Sequence, residues 1–187
     1  MIQIIEPKTE RLKLRQWVAS DLEPFFAMSS DPQVMQYFPN SLSKAESDSI
    51  AEKCQSLITE NGWGVWAVEL IETKEFIGIV GLHVPSEELP SSPCVEVLWR
   101  LAQPHWGRGY ATEAATAALK VGFEELELQE IVSFAVLNNT SSRAVMERIN
   151  MIDTGVTFNH PDVPAPAHLR KHCLYKISRD SWVKNVA

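Results

Sequence analysis

Leu101-Ala102-Gln103-Pro104-His105-Trp106-Gly107-Arg108-Gly109-Tyr110-Ala111-Thr112-Glu113-Ala114 is the stretch on which the reading of this chain turns. A β-type run ends, a loop with two glycines turns, and an Ala-rich helix begins. Junctions of this kind bind anions. Gly107 and Gly109 let the backbone approach a ligand, and the unpaired amides at the start of the helix, with its positive dipole end, stabilise phosphate oxygens. Two other phosphate loops are excluded: there is no Gly-Lys-Ser/Thr, and Gly107-Arg108-Gly109 lacks the third position of a dinucleotide fingerprint. The same spacing also suits an ordinary glycine-bearing turn from strand to helix.

Working outward, Cys94 to Leu101 is the third of three successive β-type runs, after Val65 to Ile71 and Phe76 to Val84, which predicts an antiparallel meander. Towards the N-terminus, Ser43 and Glu46 form a capping box ahead of a helix with Ile50, Cys54, Leu57 and Ile58 as its apolar stripe. Before it, Ser20-Asp21 opens a helix through Leu22, Phe25, Phe26 and Met28, and Leu12, Leu14 and Trp17 alternate with basic residues as a strand. Towards the C-terminus, a helix is predicted over Tyr110 to Leu126, a strand over Ile131 to Leu137 and a helix over Ser141 to Ile149, with Asn150 suited to a left-handed stop. A Pro-rich loop from Asn159 to Pro166 leads to a last strand near Leu169 to Ile177. The order predicts a mixed α/β sheet with helices on its faces.

Composition narrows the function. The chain has 187 residues, with 17 Lys and Arg against 24 Asp and Glu, a net charge of −7. This acidic balance argues against a general nucleic-acid binder and mildly favours a cationic partner. Cys54, Cys94 and Cys173 are widely spaced and read as free thiols. No basic leader and no membrane-length apolar run stands in the sequence, so a cytoplasmic, single-domain protein over residues 1–187, off the membrane, is expected.

Taken with Thr9-Glu10-Arg11-Leu12-Lys13-Leu14-Arg15, Val95-Glu96-Val97-Leu98-Trp99 and Asn139-Thr140-Ser141-Ser142, the loop resembles the GNAT acetyltransferase superfamily, and more closely its branch of ribosomal-protein alanine or serine N-acetyltransferases. The resemblance runs from Glu10 to Trp182. It implies an α/β (α+β) fold: a mixed, mostly antiparallel central sheet of about six to seven strands flanked by about four helices. It also implies acetyl-CoA as co-substrate, no metal, and a monomer or homodimer.

By the same resemblance Gly107, Arg108, Gly109, Tyr110, Ala111 and Thr112 hold the pyrophosphate, with Trp106 standing where many members have Gln or Arg. Trp99 to Leu101 pairs with the pantetheine arm as if it were a strand. Asn139 matches a pantetheine contact, or else caps a helix. Ser142 lies near the sulfur as the candidate acid, because Met146 occupies the position of the usual Tyr; a thiolate with a pKa of roughly 8.5 needs little help to leave. Glu96 is either the base that takes the amine's proton or a charge on the sheet face paired with Arg100. A main-chain amide near Val97 to Trp99 would stabilise the oxyanion. Arg100, Arg108, Lys120, Arg143 and Arg148 form a basic neighbourhood, with Arg143 a candidate for the 3′-phosphate. Tyr37 and Phe38 are the aromatic residues placed to touch an acceptor. His168 and His172, four apart on a predicted strand, make a weak metal pair and suit the acceptor side or the surface better.

The expectation is an N-acetyltransferase in which an amine, a protein N-terminus or a small molecule, attacks the thioester directly. A non-catalytic acyl-CoA sensor and a nucleotide-binding phosphate-loop protein are the alternatives.

Overall fold

Leu12 and Leu14 are fully buried and Lys13 only partly, so the period-two pattern forms β1, Leu12–Arg15, with one face on the core. The computed structural model describes residues 2–163 and 166–186. After β1 come α1 (Leu22–Ser30), α2 (Lys44–Asn61), β2 (Val65–Leu70), β3 (Phe76–His83), β4 (Glu96–Leu101), α3 (Tyr110–Lys120), β5 (Glu130–Val136), α4 (Thr140–Arg148), β6 (Ile152–Asn159), the single turn α5 (Ala167–Arg170), β7 (Lys171–Ser178) and α6 (Arg179–Val186). The seven strands form one sheet in the order β1-β2-β3-β4-β5-β7-β6. Every neighbouring pair is antiparallel except β4 and β5.

The capping box stands: Ser43 Oγ accepts from the amide of Glu46, and the Glu46 carboxylate accepts from the amide of Ser43 at 2.8 Å. The inward line of α2 is Ser47, Ala51 and Ile58, while Leu57, expected in the apolar stripe, is 36% exposed and falls outside that line. Asp21 does not cap α1. Its carboxylate accepts from the Val18 amide at 2.9 Å and from two Arg15 nitrogens at 2.7 and 2.9 Å, closing a buried ion pair that Glu69 joins at 2.6 Å.

Ala114, Ala115, Ala118 and Leu119 are fully buried, so α3 lies close against the sheet. The predicted helix to Leu126 is α-helical only to Lys120. A π-helical turn, Val121–Glu125, follows and brings Phe123 to stack on Trp182 of α6 with ring centroids 5.6 Å apart. Asn150 closes α4 with φ +62, the left-handed conformation expected of it.

Three elements have no counterpart in the sequence reading. The edge strand β6 carries no alternation because neither face is covered: Ile152 and Val156 are 63% and 42% exposed, and a bulge interrupts the register between Asp153 and Thr157. Residues 167–170, read partly as strand, form α5 instead, and α6 follows β7 directly. Pro164 and Ala165 of the predicted Pro-rich loop lie outside the described residues, as do Met1 and Ala187.

Candidate active site

The parallel pair at the middle of the sheet sets the site. β4 and β5 share one register pair, Glu96 with Val132, beside a bond from the Val132 amide to the Val95 carbonyl at 2.9 Å. Beyond it the strands part. The Ala102 amide bonds the Ile77 carbonyl on the β3 side, and alternation along an antiparallel ladder then turns the main chain of Val97, Trp99 and Leu101 towards β5. Side chains take two of those carbonyls: Ser133 Oγ donates to Val97 at 2.9 Å and Trp106 Nε1 to Leu101 at 2.8 Å. The Trp99 main chain is left facing the gap. A cavity of about 1150 Å³ runs through this opening, lined on β4 by Glu96, Leu98, Trp99, Arg100 and Leu101.

At one end the cavity meets the glycine loop. Gly107 and Gly109 have φ of +71 and +80, left-handed values that side chains disfavour, and no side chain caps α3. The first amides of α3 are therefore free for an anion. Gly107, Gly109, Tyr110, Ala111 and Thr112 line the cavity; Arg108 does not. Its carbonyl accepts from Arg11 Nη1 at 3.0 Å, and the Arg11 guanidinium also lies over the Tyr110 ring, 4.5 Å from its centroid. Glu113 in the first turn of α3 receives Thr9 Oγ1 at 2.6 Å, the Arg11 amide at 2.9 Å and Arg11 Nε at 2.7 Å. The N-terminal Thr9-Glu10-Arg11 segment thus clamps the loop.

Glu96 lines the cavity and is 6% exposed. Its partner is not Arg100. Residues four apart on a strand sit roughly 13 Å apart, and the antiparallel register sets His83 of β3 directly opposite instead, with Nε2 2.5 Å from Glu96 Oε2. Burial pushes the Glu96 carboxyl above its ordinary range, and the His83 contact only partly offsets this. His83 is a residue that sequence reasoning missed. The Pro-rich connection between β3 and β4 gives no turn from which the register could be read.

Residues 11–152 match the family model described as an acetyltransferase (GNAT) domain. The chain belongs to the GNAT acetyltransferase family. It is 31% identical over 183 residues to the FsC-acetyl coenzyme A-N(2)-transacetylase of Aspergillus fumigatus, covering 94% of this chain and 77% of that one. A GNAT-family acetyltransferase structure from Bacillus anthracis superposes with a TM-score of 0.79 at 26% identity, over 94% of this chain and 99% of the other. The spermidine N-acetyltransferase of Vibrio cholerae, solved with CoA and spermine, has the same fold at 19% identity and a TM-score of 0.73, over 94% and 99%. The protein is accordingly an acyltransferase of GNAT type.

The remaining predicted positions of this GNAT domain divide. Asn139 and Ser142 both line the cavity, and Asn139 caps α4: its Oδ1 accepts from the Ser142 amide at 3.1 Å. Met146 lines the cavity beside them. Arg143 is outside the lining. Its Nε donates to Tyr175 Oη at 3.2 Å and its Nη2 lies 3.3 Å from Asp153, an arrangement that turns it to β7 and β6. Lys120 is exposed beside Glu124, and Arg148 lines the cavity.

On the opposite wall Tyr37 donates to the Asn138 carbonyl at 3.4 Å, and Phe38 stacks on Arg100. His172 lines the cavity with His160; their rings are 5.1 Å apart, and burial lowers both pKa values, so both are neutral at pH 7. His168 lies in α5 rather than on a strand and is exposed, so the pair read as a weak metal site is separated. No cluster of three metal-ligating side chains occurs among the described residues, and no described helix is long and apolar enough to cross a membrane.

Proposed function

We propose that this GNAT enzyme moves an acetyl group from acetyl-CoA to a primary amine, of a small molecule or a protein N-terminus, by direct attack within a ternary complex, with residues 1–187 acting as one domain. The observation that carries the reading is the opening between β4 and β5, with the Trp99 main chain facing it and the left-handed glycine loop at its end. A long ligand with an amide-bearing arm leading to a pyrophosphate fits those donors. Bound there, acetyl-CoA supplies an activated thioester.

The chain's own residues do the rest. Amides from Gly107 to Thr112 take the phosphate charge, and the Trp99 to Leu101 edge aligns the arm. Glu96 accepts the proton of the incoming ammonium, since only the neutral amine has a lone pair to attack with, and His83 passes that proton towards solvent at its 30% exposed side chain. A main-chain amide near Val97 to Trp99 stabilises the developing oxyanion. Ser142 is the group nearest in role to a proton donor for the departing thiolate, and Asn139 orients the start of α4 beneath it. Arg143, held by Tyr175 and Asp153, would have to leave those partners to meet a 3′-phosphate.

The test is calorimetric titration with acetyl-CoA followed by thiol release against a panel of amines and short peptides. Binding with release supports the enzyme reading. Binding without release across the panel favours a sensor, and failure to bind overturns the loop assignment.

A further inference from the structure

Two arginines of this chain are drawn into the fold, and they are treated differently. Arg15 reaches Asp21 through two nitrogens and Glu69 through a third, so its charge is fully matched. Arg100 has no carboxylate within salt-bridge distance among the described residues. Its Nη1 makes one long contact, 3.4 Å, to Ser29 Oγ, its Nε has no hydrogen-bond partner, and its guanidinium lies 4.4 Å over the Phe38 ring. The neighbouring titratable group, Cys54 on α2, supplies no counter-charge, because burial pushes its thiol up to about 11 and keeps it neutral. Burial also pulls Arg100 down to about 10, still charged at neutral pH. A desolvated guanidinium without an anion is costly, and a fold that keeps one beside a cavity leaves a place for the anion.

Glu96 and Arg100 lie on the same face of β4, two pleats apart, and both line the cavity. Resting on the acetyltransferase reading above, we propose that the acceptor carries an anionic group, a carboxylate or phosphate, on the same skeleton as its primary amine, and that Arg100 binds this group while the amine lies towards Glu96. The planar guanidinium would pair with the anion through two parallel N–H bonds, leaving Phe38 stacked on its face. Arg100 is then a specificity residue: it discriminates by leaving its own charge unpaired whenever a neutral or cationic acceptor enters. The net charge of −7 points to cationic acceptors only through long-range attraction, whereas this half-buried charge acts at contact distance.

Matched acceptors test this. Amino acids are compared with their amides, and aminophosphonates separate a carboxylate site from one for phosphate-like groups. The expected result is a kcat/KM at least about tenfold higher for the acid than for its amide. Arg100→Gln should erase that preference by raising KM for the acid, and Arg100→Lys should restore part of it. Acid and amide used equally by the wild type, or a preference that survives Arg100→Gln, would overturn the proposal. A second readout needs no turnover: N-acetylated acids should bind CoA-loaded wild type and lose that affinity in Arg100→Gln, while their amides bind weakly to both. If neither product binds although acetyl-CoA does, the anion site is wrong; if acetyl-CoA itself fails to bind, the acetyltransferase reading fails first.

Discussion

The two walls of the cavity use different chemistry. The loop wall, the main chain of Trp99 and Leu101 with residues 107–112, presents backbone groups: free helix amides, two left-handed glycines and a strand edge, held in place from behind by Arg11 and Glu113. The rest of the lining presents side chains: Glu96 against His83, Arg100 under Phe38, and the neutral pair His160 and His172. A wall of main chain tolerates change in side-chain identity but not in backbone conformation. A wall of side chains does the reverse, and so is the place where acceptor choice can vary on a constant fold.

The largest expected effect breaks the loop wall. Gly109→Glu puts a side chain at φ +80 and a negative charge where phosphate is expected, and its Cβ would meet Arg11 Nη2 at 3.4 Å. Strain and repulsion together should cost about 3 kcal/mol or more, roughly a 100-fold loss of acetyl-CoA affinity by calorimetry. Normal affinity in that variant would remove the loop from the site. On the other wall, Glu96→Gln should lower kcat by about 10²-fold or more, the usual range for a lost general base, with acetyl-CoA affinity unchanged. Since only the carboxylate accepts a proton, and burial raises its pKa, the wild-type rate should climb with pH at values above the usual carboxylate range. That rising limb should vanish in Glu96→Gln, and an unchanged profile would remove Glu96 as the base.

Smaller effects test what stands behind each wall. Glu113→Gln weakens the clamp and should lower stability by roughly 1–2 kcal/mol, because the bonds it makes are charge-assisted but partly exposed. Burial tends to raise the Glu113 pKa, yet the bonds from Thr9 and Arg11 outweigh it and hold it below 4.5. A carboxylate depressed in the folded state contributes stability that is complete above its unfolded pKa and lost as pH falls through the lowered folded value. Acid unfolding should therefore separate wild type from Glu113→Gln near neutral pH and bring the two together in strong acid. Asn139→Ala should cost about 1 kcal/mol as a lost helix cap, seen in thermal unfolding. Ser142→Ala should alter kcat least, by about threefold or less, since a thiolate leaves readily; a much larger loss would make Ser142 an essential acid.

The loop wall was legible because its parts are contiguous. Two glycines, a helix start and the preceding strand lie within Leu101 to Ala114, and the anion-binding geometry follows from local backbone rules. The capping box of α2 and the left-handed Asn150 were legible for the same reason. Elements with one covered face also announced themselves, whereas β6, uncovered on both faces, carried no pattern to read. On the side-chain wall the residues could be named but not partnered. Glu96 was visible, while His83 needed the register of two strands joined by a long connection.

What the sequence determined by itself, then, is everything set within a few residues of the chain: strand and helix periodicity, caps, the glycine loop and the motifs that mark a GNAT domain. Tertiary structure alone decided which charges are matched. Arg15 and Arg100 look alike as letters in two amphipathic strands, yet one is closed by Asp21 and Glu69 and the other has no carboxylate partner among the described residues. Backbone conformation is governed by short-range sterics, which sequence records directly. The state of a buried charge depends on which distant side chains the fold carries to it and how much water it leaves there.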